Sequence, residues 1–166
     1  MKETSFIRKR NRAWGDRPNS HQGDSADSGL AGWAPTLEGE EQGPLNNKEN
    51  QLSEAIEAAL DKKAQDTVVI ELGEICSFTD YFLICTGTST RHNQTIAEHI
   101  EETLKKQGVR PLHIEGQTEG EWILLDYVDF VVHIFSARAR EFYDLERLWR
   151  AGKRRDAHEF VSPRAL

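Results

Sequence analysis

Asp80-Tyr81-Phe82-Leu83-Ile84-Cys85-Thr86-Gly87-Thr88-Ser89 is the stretch that decides the fold. Residues 80–86 are apolar on both alternating faces, which suits a central strand covered by helices on either side. Gly87 to Thr90 punctuates the chain, and a helix is predicted from there to about Gln107. Ile96, Ile100 and Leu104 recur every fourth position along one stripe of it. Glu101 with Lys105 and Glu102 with Lys106 pair on its solvent face in the favourable acid-first order. Gly108 supplies a C-cap and Pro111 forbids continuation. A buried strand, a short turn and an amphipathic helix in succession indicate an α/β fold.

Upstream, the β-branched run Thr67 to Leu72 reads as a buried strand closed by Gly73. Ser53 is a plausible N-cap for a helix through about Gln65, with Ile56, Ala59 and Leu60 on one face. Downstream, Leu112 to Glu115 is a short third strand, and Gly116 and Gly120 bracket a turn. Glu121 to Tyr127 is a fourth strand, reversed at Val128-Asp129 into a fifth, Phe130 to Phe135, as a hairpin. Ser136 caps a last helix to about Arg150, with Phe142, Leu145 and Trp149 facing inward. Arg147, Arg150, Lys153, Arg154 and Arg155 gather near its end, where the helix dipole favours cations. The order α-β-β-α-β-β-β-α gives one mixed sheet of about five strands with helices packed on it.

The sequence changes character near residue 50. Residues 1–50 are rich in Gly, Ser, Pro and Asn, with single apolar residues such as Trp14 and Trp33, and bury too little to offset the entropy of ordering. Disorder is expected there, a folded domain over 51–152, and a loose tail over 153–166. Residues 1–50 carry 7 basic and 8 acidic side chains, so 14 basic and 20 acidic fall in the remainder. The acidity belongs to the folded part.

With a net charge of −7, the chain lacks the cationic surplus that wrapping nucleic acid requires. An acidic surface instead suits a basic partner. Cys76 and Cys85 form neither a CxxC motif nor a disulfide framework, which points to a reducing cytosol. No apolar run is long enough to span a bilayer. Arg8, Lys9, Arg10, Arg12 and Arg17 raise an organelle-import peptide, but Asp16, Asp24 and Asp27 are out of place in one. A cytoplasmic setting is the expectation.

Catalytic readings are weak. Gly87-Thr88-Ser89 stands between a strand and a helix, where backbone N–H groups can hold phosphate. Nucleotidyl transfer also needs paired carboxylates for metal ions. Asp126 and Asp129 are the nearby pair, and a spacing of three should turn them to opposite sides of an extended strand. His133, on one face with Val131 and Phe135, has no recognisable nucleophile and reads as a hydrogen-bonded sheet histidine. His92 and His99 lie seven apart, whereas helical metal pairs usually lie four apart. No metal or cofactor is assigned.

A surface pattern remains. Acids and glycines from Glu115 to Glu121 surround Trp122, and Asp126, Tyr127 and Asp129 close the hairpin. Aromatic rings flanked by carboxylates make good anchors on a basic protein surface. Sheet packing accounts for Trp122 equally well. Self-association across a two-fold axis is a further possibility for such a hairpin.

Four motifs in order carry a resemblance. Asp80 to Ser89 resembles the DYFVI-x-[ST]-G-[TS]-S segment of ribosomal silencing factors of the Iojap type. Glu115-Gly116 followed by Glu121-Trp122-Ile123-Leu124-Leu125-Asp126-Tyr127 resembles their EG…W-x-L-x-D-[YF] hairpin. Val131 to Phe135 and Arg140 to Trp149 complete the signature. The likeness covers roughly Leu52 to Trp149 and leaves residues 1–50 without inheritance. It implies a nucleotidyltransferase-like but catalytically degenerate fold and no enzyme activity. It also implies a translational repressor that binds the fourteenth large-subunit ribosomal protein on the intersubunit face and blocks the small subunit. Trp122, Leu124, Asp126 and Tyr127 on the hairpin are expected to meet the partner, with Asp144 and Glu146 on the last helix as acidic contacts. Sequence-specific nucleic-acid binding is not expected; a metal-dependent nucleotidyltransferase or phosphate-binding enzyme is the alternative.

Overall fold

A computed structural model describes residues 44–161, with side chains from residue 47 onward. Expectations for residues 1–43 and 162–166 lie outside the described residues.

Helix α1 spans Pro44–Asp61 and so begins well before Ser53. Proline at a first helical position pre-sets the backbone and sacrifices no intrahelical donor. Ser53 lies inside this helix, where its hydroxyl donates to the Phe160 carbonyl at 2.7 Å. Strand β1 (Gln65–Glu71) leads through a 3-10 turn (Gly73–Ile75) to β2 (Tyr81–Gly87) and helix α2 (Thr90–Lys105). Strands β3 (His113–Glu115), β4 (Trp122–Asp126) and β5 (Phe130–Ser136) follow. After them come two short helices, α3 (Ala137–Tyr143) and α4 (Leu145–Leu148), strand β6 (Lys153–Asp156) and a 3-10 turn (Ala157–Phe160).

The sheet order is β3-β4-β5-β2-β1-β6. The two most apolar strands, β2 and β5, pair in parallel from Tyr81–Phe130 to Gly87–Ser136, and every other pair is antiparallel. One sheet face carries Val69, Leu83, Cys85, Ile123, Leu125, Val132 and Ile134. These pack with Leu52, Ala55, Ile56 and Ala59 of α1 and with Ile96, Ala97, Ile100 and Leu104 of α2. The predicted stripe of α2 is therefore its buried face. The opposite sheet face carries Phe82, His133 and Phe135, with Trp149 and Tyr143 lying against it.

The structure also differs from the sequence reading at the sheet edge and in the last helix. The described residues form six strands, because the tail expected to be loose after Gly152 returns along the outer edge of β1, from Glu71–Lys153 to Val68–Asp156. Gly152 permits this approach: a Cβ there would stand 2.6 Å from Ile70 Cγ2 and 2.9 Å from the Glu71 carbonyl oxygen. Arg155 then fastens the edge through Glu71 at 2.7 Å. The last helix is broken, because Asp144 adopts a left-handed conformation (φ 43°), ending α3 and capping α4. Phe142, in the last turn of α3, is 67% exposed, where an inward side chain was expected.

Candidate partner-docking face

Trp122 opens β4 beside its antiparallel partner Phe135. It is half-buried, with ring centroids 5.0 Å from Phe135 and 4.5 Å from Tyr143. Its indole Nε1 donates to His133 Nδ1 at 3.2 Å. An acceptor Nδ1 assigns the proton of the neutral imidazole to Nε2. Phe82 meets His133 edge-on at 4.7 Å and Trp149 edge-on at 5.4 Å, and Trp149 meets Phe78 at 6.0 Å. Phe142 stands edge-on to Tyr143 at 5.1 Å. A continuous band of rings thus crosses this face. Its outermost apolar groups are Phe142, 67% exposed, and Leu148, 60% exposed.

The hairpin residues expected to meet a partner do not all lie on the surface. Leu124 is 2%, Asp126 1% and Tyr127 5% exposed. Leu124 shares a face with Trp122 one repeat further along the strand, opposite His133, where the sheet is covered. Asp126 turns its carboxylate to the Val128 N–H at 2.8 Å and so shapes the hairpin turn. Tyr127 stacks on Phe130 at 5.0 Å within the core, and burial, followed by the charge of Glu101, pushes its phenol pKa up. These three lie beneath the surface of the hairpin.

Asp144 and Glu146 are committed to internal bonds. Asp144 Oδ1 accepts from the Arg147 N–H. Glu146 forms a two-point contact with Arg140, at 2.8 Å and 3.3 Å. Arg140 in turn donates to the Asp66 carbonyl at 2.7 Å and to Thr86 Oγ1 at 2.9 Å. The two acids therefore buckle the broken helix onto the sheet and set the angle at which Phe142 and Leu148 project. Sequence reasoning missed Phe142, Tyr143 and Leu148 as surface candidates, since an unbroken helix was assumed. Asp144 was the available signal, for aspartate tolerates the left-handed region and caps the next turn.

The residues weighed for catalysis are occupied by structural bonds. Ser89 Oγ accepts from the His92 N–H at 3.0 Å, and the Thr88 N–H donates to His92 Nδ1 at 2.9 Å. His92 Nε2 reaches the Lys62 carbonyl at 2.6 Å. The α2 N-terminus is thus capped by the protein's own groups. His99 instead faces Asp61 at 3.9 Å. The Asp129 carboxylate lies 2.9 Å from Lys48 Nζ, which also meets Asp80 at 3.2 Å. Among the described residues no group of three or more His, Cys, Asp or Glu is arranged to hold a metal ion. Cys85 is wholly buried, and desolvation pushes its thiol pKa to about 12, far from nucleophilic use.

A family model described as ribosomal silencing factor during starvation matches residues 45–165. The chain belongs to that family. Membership ties it to ribosome-associated regulation of translation. The chain is 38% identical to the ribosomal silencing factor of Bacillus subtilis over 103 residues, 62% of this chain and 87% of that protein. It resembles the crystal structure of a Chromobacterium violaceum protein with a TM-score of 0.61 and 32% identity, covering 65% of this chain and 89% of that one. It is also 34% identical to the mouse protein named mitochondrial assembly of ribosomal large subunit protein 1. That match runs over 91 residues, 53% of this chain and 40% of that protein. Among the described residues no helix is long and apolar enough to cross a membrane.

Proposed function

We propose that the chain is a cytoplasmic translational repressor that binds the large ribosomal subunit through its fourteenth protein, on the intersubunit face. A domain seated there excludes the small subunit by occupying its docking space, and no covalent step is needed. Family membership supports the ribosome as the partner, and the name of the mouse relative supports the large subunit.

The observation that carries this reading is the aromatic band that Phe142 and Leu148 extend into solvent beside half-buried Tyr143 and Trp149. Exposed apolar groups flanking packed rings are what a protein–protein anchor needs. Trp122 backs the band, while Leu124, Asp126 and Tyr127 hold its strand. Asp144 and Glu146 set the helix break that presents it. An interface of about 800 Å² per partner suffices for a stable complex.

The test is co-sedimentation of the full chain with purified large subunits. Phe142→Ala combined with Leu148→Ala should leave thermal stability nearly unchanged, since both side chains are exposed. Affinity for the subunit should fall about thirtyfold or more, the effect of losing about 2 kcal/mol of anchor contact. Wild-type sedimentation of the double variant would remove the band from the interface.

A further inference from the structure

Residues 147–155 hold Arg147, Arg150, Lys153, Arg154 and Arg155 and no carboxylate, within a chain whose net charge is −7. The fold gathers these cations. Helix α4 ends at Leu148, Gly152 turns against Ile70 and Glu71, and β6 carries Lys153 and Arg154 along the sheet edge. A 3.7 Å contact between Arg154 and Glu146 ties that strand to the α4 segment.

The carboxylates within reach are already engaged at closer range. Glu146 holds Arg140 at 2.8 Å, while Glu71 and Glu159 hold Arg155 at 2.7 and 2.8 Å. Lys153 and Arg154 are left with contacts of 3.9 and 3.7 Å, their side chains 72% and 65% exposed. Arg147 and Arg150 are exposed and make no side-chain ion pair among the described residues. Of the acids on the same segment, Asp144 faces the Arg147 backbone and Glu141 lies exposed on α3.

We infer that Arg147, Arg150, Lys153 and Arg154 form a cationic strip that neutralises the phosphates of an RNA backbone. The inference rests on the docking reading above. The strip begins beside Leu148, so a domain seated by its aromatic band lays these cations on whatever surface adjoins its protein partner. The side chains are long and exposed, and neutralising phosphate requires charge density more than a shaped socket. Net acidity does not oppose this locally. Acids such as Glu98, Glu101 and Glu102 sit on α2, which packs on one sheet face, whereas the four cations lie along the β6 edge and the segment that leads into it.

The experiment measures binding of the full chain to a fluorescent oligouridylate by anisotropy as salt rises from roughly 50 to 200 mM. Four contacts to a single strand give a log–log slope of about −2.8, a loss of roughly fiftyfold over that range. Replacing Arg147, Arg150, Lys153 and Arg154 together by Gln should abolish most of the binding and flatten the slope. Arg147→Gln with Arg150→Gln, which leaves β6 untouched, should remove about half of the slope. Trp122→Ala should keep the RNA slope while weakening subunit sedimentation, which separates failure of this inference from failure of the docking reading. A wild-type slope in the fourfold variant, or no RNA binding by the wild type at low salt, would overturn the strip. Tighter binding of an acidic peptide than of RNA would reassign it to a protein partner and overturn it equally.

Discussion

Val128 sits at φ 74° in the three-residue connection between β4 and β5, 39% exposed, with its N–H donated to Asp126 Oδ1 at 2.8 Å. A β-branched side chain in the left-handed region is strained, and the buried carboxylate of Asp126 helps hold it there. Val128→Gly should therefore raise the stability of the chain by about 1 kcal/mol in urea unfolding, because relief of strain exceeds the added freedom of the unfolded chain. A lower urea midpoint would contradict that account of the turn. Cys85 gives a second expectation. Its folded pKa is raised to about 12 by burial, so the fold retains a proton that the unfolded chain gives up at lower pH. The resulting stabilisation is fully present below the ordinary thiol range and is lost as pH rises toward 12. At pH about 8.5, iodoacetamide should leave Cys85 unlabelled in the folded chain and label it in urea. Rapid labelling without denaturant would show that the strand is not closed.

Strand β6 is four residues long, wholly charged and without apolar alternation, so nothing in its own composition marks it as a strand. It exists because β1 offers an unpaired edge and Gly152 has no Cβ to keep the chain away. Gly152→Ala should detach it. Hydrogen exchange at Lys153 to Asp156 should speed up while β2 and β5 remain protected, and unchanged exchange would contradict the close-approach argument. Elements that bury a periodic face were legible in the sequence: the stripe of α2, the β4–β5 hairpin and the two central strands. Elements fixed by non-local contact were not. The early start of α1, the return of β6 and the break at Asp144 depend on groups far away in the chain, such as Glu71 meeting Arg155 and Asp66 receiving Arg140. The candidate site was legible in part for the same reason. Trp122 was singled out from its flanking acids, but the burial of Leu124, Asp126 and Tyr127 and the exposure of Phe142 depend on how the sheet is covered.

Among the described residues of the whole molecule, one sheet face is covered by α1 and α2, and the other carries the broken helix and its rings. His133 is bonded to an indole, Cys85 stays protonated, and the α2 N-terminus is capped by the protein itself. What remains is a ring-lined face with exposed apolar groups beside a cationic edge, suited to seating the domain on a ribosomal surface. The central claim is that such seating excludes the small subunit. Large and small subunits mixed with and without the full chain, then resolved on a sucrose gradient, test it most directly. The account predicts that the chain migrates with the large subunit and that the joined-ribosome peak falls as its concentration rises, with Phe142→Ala and Leu148→Ala together restoring the peak. An undiminished joined peak with the chain bound, or a chain that stays at the top of the gradient, would contradict it.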